Sequence, residues 1–332
     1  MATALKPEWS KPGILLFASE IPTNERAFSY ALAQAVEYQA MLVIFHAWDS
    51  VPIGAQAFSG PDSGLRADLV AGLEYFEPGS MQRAEARALA PLARRVRAAG
   101  VHCRIVVRPG APADQILDTA RETGADRIIM GTHSPGHISK LLVGSVAESV
   151  LRRANVPVFI VGPDVTSSPM SHGFAPQIIH CAVSRVETGG PVVAFAAEIA
   201  ARHHARLVLQ HVIRTQDCEE VLAAHCVAEI ENMLLDMVPA RLRQKLHPQP
   251  LVMPGEPAQK LLDQSRALNA DLIVMGAHNA SAFSAITRHG VVYRVLAAAQ
   301  CPVMTLSPAV LEAGGSHIAI TTPSESYLAG VI

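Results

Sequence analysis

A long internal repeat constrains this chain more than any other feature. Residues 108–131 read RPGAPADQILDTARETGADRIIMG, and residues 253–276 read MPGEPAQKLLDQSRALNADLIVMG. Pro-Gly-x-Pro-Ala, Leu-Asp, Ala-Asp and Ile-x-Met-Gly recur in register at an offset of 145. Asn155-Val156-Pro157-Val158 and Gln300-Cys301-Pro302-Val303 keep that offset. Upstream, Ala40–His46 matches Ala205–His211 at an offset of 165, so the first copy carries 20 extra residues between His46 and Gly110. Pro52–Gly64 is rich in Gly, Pro and Ser, which places an insertion at about 49–80. A chain of 332 residues accommodates two domains. The polar stretch Gly162–Pro169 is the expected linker, giving domains at 1–165 and 170–310 and a tail at 311–332.

Each copy alternates short apolar runs with longer amphipathic ones. The first has strand-like runs at Ile14–Ala18, Met41–Ala47, Val101–Val107, Arg127–Gly131 and Val156–Val161, and helical patterns at about 23–39, 80–99, 112–123 and 144–154. The second has strand runs at 178–183, 206–212, 248–252, 271–275 and 302–306. This alternation predicts an α/β fold of two doubly wound, open parallel-sheet domains.

Charge and composition exclude several classes. Lys and Arg number 27 against 29 Asp and Glu, a net charge of −2, without the basic excess of a nucleic-acid binder. No run of 18 apolar residues suggests a membrane span, and residues 1–9 lack an apolar signal core, so a cytoplasmic chain is expected. Five scattered cysteines without a CxxC pair read as reduced thiols.

In open parallel sheets, ligands sit beyond the carboxyl ends of the strands. There the first copy carries Gly131-Thr132-His133-Ser134-Pro135-Gly136, then Gly144-Ser145 at the start of a helix. Gly131 and Gly136 permit close backbone approach. The helix start offers free N–H groups and the positive end of a dipole, which favour phosphate. Ser145 is either a phosphate donor or a simple N-cap.

With these motifs the chain resembles a tandem universal stress protein, a pseudo-twofold pair of adenine-nucleotide-hydrolase-like domains. Nucleotide-binding members carry Gly-x-x-Gly, nine residues, then Gly-Ser or Gly-Thr. Here the first copy has Gly131-x-x-Ser134, nine residues, then Gly144-Ser145. The resemblance implies ATP, with Mg²⁺ bridging its phosphates. By position it implies contacts from Phe17, Ala18, Ser19, Ala47, Met130, Gly131, His133, Ser134, Gly144, Ser145 and Val146, beside Gly136 of the loop. Ser19 stands where the family usually has Asp, a stronger acceptor. In the second copy Ser184 matches Ser19, Asn279 replaces the second glycine and His289-Gly290 replaces Gly-Ser. Residue 289 is expected to crowd the phosphate turn if the backbone path is kept. The resemblance also implies pairing of Val156–Val161 with Val303–Leu306 inside the chain.

Other constellations give less. Cys218, His225 and Cys226 share a predicted helix, 217–235, but their spacing demands no fourth ligand, so they read as thiols and a solvated histidine rather than zinc. His46 and His211 end equivalent strands and read as packing residues. There is no Gly-x-Ser-x-Gly elbow or HExxH helix, so no catalytic or metal-binding residue is assigned. Leu69, Val70, Leu73, Tyr75 and Phe76 form a short packed helix, or else a lid or partner surface, and Ile318–Thr322 an edge strand within the chain or across a homodimer. The expected function is a stress-response sensor binding adenine nucleotide in the first domain. The alternatives are a nucleotide-free protein-interaction module and a weak nucleotide hydrolase.

Overall fold

In each Pro-Gly-x-Pro motif a strand must stop, turn and start a helix. Gly110 and Gly255 take φ of +121° and +145°, a region open to glycine at little cost. Their N–H groups close the turn on Trp48 and Ile213 carbonyls, each at 2.9 Å. The following proline then enters the first turn of a helix, where its missing N–H is harmless.

The computed structural model describes residues 10–48, 80–132, 143–166, 169, 173–184, 189–217, 219, 226–277 and 290–315. The strands of the first unit are β1 (Ile14–Ala18), β2 (Met41–Trp48), β3 (Cys103–Pro109), β4 (Arg127–Gly131) and β5 (Val158–Val161). Its helices are α1 (Glu25–Tyr38), α2 (Ser80–Ala98), α3 (Pro112–Thr123) and α4 (Ser145–Arg153). The second unit has β6 (Ile178–Val183), β7 (Arg206–Ile213), β8 (Gln249–Pro254), β9 (Leu272–Gly276) and β10 (Val303–Leu306). Its helices are α5 (Gly190–His203), α6 (Val227–Asp236), α7 (Ala240–Leu246), α8 (Pro257–Leu268), α9 (Val291–Ala298) and α10 (Pro308–Gly315).

The strands form one ten-stranded sheet in the order β3-β2-β1-β4-β5-β10-β9-β6-β7-β8. Every neighbouring pair is parallel except β5–β10, so two doubly wound halves meet at one antiparallel seam. α1, α2, α5 and α10 supply one buried layer, and α3, α4, α8 and α9 the other. The central strands are buried on both faces, which explains their continuous apolar runs.

The repeated Ala-Asp pairs have a shared task. Asp126 Oδ2 accepts from the Gly13 and Ile14 amides at 2.8 and 3.0 Å, and Asp271 Oδ2 from Gln177 and Ile178 at 2.8 and 2.9 Å. Each carboxylate anchors the start of a central strand. Asp126→Ala is expected to cost about 1–3 kcal/mol by leaving these donors unmet, read as a lower urea midpoint at unchanged slope.

Across the seam, Tyr38 Oη lies 2.9 Å from His203 Nε2. Burial, helped by Arg202 and Arg127, lowers the His203 pKa to about 4. His180, buried against Gln210 Oε1 at 2.6 Å, is also lowered to about 4, chiefly by burial. Both are neutral in the fold at neutral pH, whereas an unfolded histidine protonates below about 6.5. Stability from these groups is therefore full above that pH and is lost as pH falls to about 4, by about 2–3 kcal/mol each. Unfolding titrations between pH 7 and 4 check this, with His180→Leu expected to flatten the dependence.

One predicted helix is corrected. Residues 217–235 do not form a single helix: Thr215–Asp217 is a 3-10 turn and Cys226 is the extended N-cap of α6. The Cys226 amide donates to Glu229 Oε2 at 3.0 Å, which fixes the helix start at residue 227 rather than at the expected 217. Cys218, His225, the insertion at 49–79 and residues 316–332 lie outside the described residues. Among the described residues, four cysteines are free thiols and no metal-ligating cluster occurs.

Candidate functional site

The C-terminal ends of β1, β2 and β4 and the start of α4 converge at one edge of the first unit. β1 lies between β2 and β4, pairing Ala18 with Phe45 and Met130. Phe17 and Met130 are buried, and Phe17 stacks on Phe28 with ring centroids 5.7 Å apart. Neither side chain is presented to solvent. Ala47 is half-buried near the end of β2.

Ser19 turns inward. Its amide donates to Phe45 O at 2.7 Å and its hydroxyl donates to Glu20 O at 3.1 Å, with Thr23 Oγ1 at 3.4 Å. The Ser19 carbonyl lies 2.9 Å from His46 Nδ1. His46 thus fastens the β1 end, the packing role expected of it. His211 does the same at Val183 O, 2.9 Å away.

Gly131 ends β4 against Asn24, whose amide would collide with any Cβ at 131. Asn24 also caps α1, accepting from the Ala27 amide at 3.1 Å. Gly144 is the N-cap of α4, with φ −63° and ψ 151° and no side-chain cap bond. The free N–H groups expected at this helix start are only partly free. The Gly144 N–H is spent on Thr132 O at 3.0 Å, which pins the turn to the end of β4. Among the described residues, no acceptor meets the amides of Ser145, Val146 and Ala147. Ser145 is exposed and Val146 half-buried. Among the described residues, the donors and dipole of this helix start have no protein acceptor. His133, Ser134 and Gly136 lie outside the described residues.

The repeated units match the family model "Universal stress protein family" over residues 14–162 and again over 176–307. The chain belongs to the universal stress protein family. It is 32% identical over 139 residues to a universal stress protein of Thermus aquaticus, covering 41% of this chain and 88% of that one. A universal stress protein of Methanocaldococcus jannaschii is 36% identical over 62 residues, which span 19% of this chain but only 38% of that relative. Among solved structures, a universal stress protein from Archaeoglobus fulgidus superposes with a TM-score of 0.62 at 18% identity, covering 90% of this chain and 97% of that one. That likeness supports the fold.

The second universal stress protein unit is less eroded than its sequence implies. Sequence offset assigns His289 to the place of Gly144, but α9 starts one residue later than α4. Gly290 is therefore the N-cap, with φ −60° and ψ 145°, close to Gly144. His289, expected to crowd the turn, precedes this cap and lies outside the described residues. The match of Ser184 to Ser19 also slips: the strand register puts Val183 in that place, since Ala182 pairs with Met275 as Ala18 pairs with Met130. Val183, Gln210, Arg214, Met275, Gly276 and Gly290 line an open cleft beside the start of α9. Its floor differs in chemistry. Gln210, buried with His180, occupies the place that Phe45 holds beside Leu16 in the first unit. Nothing in local sequence patterning announces this polar pair, because its members lie 30 residues apart on neighbouring strands.

Among the described residues, no helix is long and apolar enough to cross a membrane.

Proposed function

We propose that the first unit binds ATP or a related adenine nucleotide and that the chain acts as a cytoplasmic stress-response sensor. The observation that carries this reading is the glycine N-cap of α4, beyond which the amides of Ser145, Val146 and Ala147 meet no acceptor among the described residues. A phosphate supplies the missing acceptors and the negative charge that a helix start favours. Ser145 adds a hydroxyl there, and Mg²⁺ would be held through phosphate oxygens rather than by a protein cage. Family membership supports the nucleotide class. The glycines at 131 and 144 let Asn24 and the Thr132 carbonyl pack closely there, which brings the end of β4 against the start of α4. The base would lie toward the ends of β1 and β2, beside half-buried Ala47, where the Ser19 amide and carbonyl are held by Phe45 and His46.

The chemistry stops at binding. His46 holds the Ser19 carbonyl, with Glu85 3.9 Å from its other ring nitrogen, and neither group reaches the start of α4 by any described contact. No positioned base for attack by water is assigned, and phosphate release over hours is expected to stay at the uncatalysed level. ATP·Mg at a hundred times its dissociation constant is expected to raise unfolding free energy by about 2.7 kcal/mol. A thermal-shift titration checks this. An unchanged midpoint at millimolar ATP·Mg would favour the nucleotide-free interaction module, to which the inward-turned Ser19 hydroxyl already leans.

A further inference from the structure

The seam between the units joins equivalent positions with unlike residues. In the antiparallel β5–β10 pair, Phe159 faces Met304, and these two are 145 residues apart, as the repeats are. The pseudo-twofold axis therefore passes between them. Tyr38 and His203 are likewise equivalent, at an offset of 165, and meet across the axis in one buried hydrogen bond. Phe174, brought in just before β6, packs edge-on against Phe159 and His203, with centroids 5.6 and 5.7 Å away.

A third couple decides the handedness of this match. Ser307 follows β10, and its hydroxyl donates to the Ala154 carbonyl at the C-terminal end of α4. The equivalent residue after β5 is Gly162, and any Cβ there would overlap the Leu296 carbonyl oxygen of α9. One side of the axis requires a hydroxyl and the other requires no side chain at all.

We propose that this seam is a recognition surface specific for the unlike half: each half binds the other and rejects a second copy of itself. Two second units paired in this geometry would put Ser307 where only glycine fits. Two first units would leave Ala154 O without the Ser307 hydroxyl, set Phe159 against Phe159 and exchange the Tyr38–His203 bond for a tyrosine pair. Specificity thus comes from both a favourable contact and an excluded one. Its consequence is that the antiparallel edge, once filled within the chain, is closed to homodimer formation through like halves.

The test uses the whole chain carrying a protease site between Thr166 and Gly173. After cleavage, light and isotopically heavy samples are mixed and followed by native mass spectrometry. Only unlike pairs are expected, exchanging partners between light and heavy pools. Like pairs at a statistical share, or halves that separate into monomers at micromolar concentration, overturn the proposal. Gly162→Ser, introduced before cleavage, is expected to speed exchange about tenfold or more. Tyr38→Phe, which adds no bulk, is expected to speed it about threefold and serves if Gly162→Ser does not fold. Unchanged exchange in a folded Gly162→Ser, or in Tyr38→Phe where that variant is needed, also overturns it.

Discussion

Phe159→Ala is expected to lower unfolding free energy by about 3–5 kcal/mol. The ring is fully buried at the one antiparallel seam, 5.6 Å from both Tyr30 and Phe174 by ring centroid, and opposite Met304. Deleting it removes apolar burial from both halves at once. The surroundings cannot collapse freely, because the strands on either side are tied by backbone bonds. Urea unfolding is the measurement. A shift below about 1 kcal/mol would mean that the seam relaxes into the void and contributes little to holding the halves together.

Gly144→Trp is expected to weaken ATP·Mg binding by about a hundredfold or more, some 3 kcal/mol. Even a Cβ at 144 stands 3.0 Å from the Thr132 carbonyl oxygen, so the turn must give. The indole would then cover the Ser145 and Val146 amides. The backbone angles at 144 suit any residue, so Gly144→Ala, whose Cβ requires only a small shift of the Thr132 carbonyl, should fold with a modest loss of stability and lose only a few-fold in affinity. Calorimetric titration of the two variants separates occlusion of the site from loss of fold. Retained affinity in Gly144→Trp would move the nucleotide away from α4.

Much of this fold is legible from residue patterning. β1, β4 and β6 fall at the expected residues because each is a doubly buried apolar run between polar breaks. α3 begins and ends as expected, since Pro112 enters its first turn and Gly124 closes it in the left-handed region. β3 is shifted to Cys103–Pro109, because its pairing with β2 continues as far as Trp48.

The site is less legible, for a physical reason. Offsets in sequence do not fix strand register or the residue at which a helix begins. A slip of one residue exchanges Ser184 for Val183 at the end of β6, and another returns Gly290 to the N-cap of α9. The bond from Gly144 N–H to Thr132 O, the His180–Gln210 pair and the Tyr38–His203 bond are all tertiary. Their residue types carry no periodicity or motif that could have announced them.

We propose that the helix start at Ser145, which has no side-chain cap bond, holds an adenine nucleotide. The most direct test is equilibrium dialysis of the purified chain against labelled ATP·Mg, comparing wild type, Gly144→Trp and Gly290→Trp. The expected result is one nucleotide per chain, lost in Gly144→Trp and kept in Gly290→Trp. No bound nucleotide in the wild type, or a site abolished by Gly290→Trp alone, would contradict it.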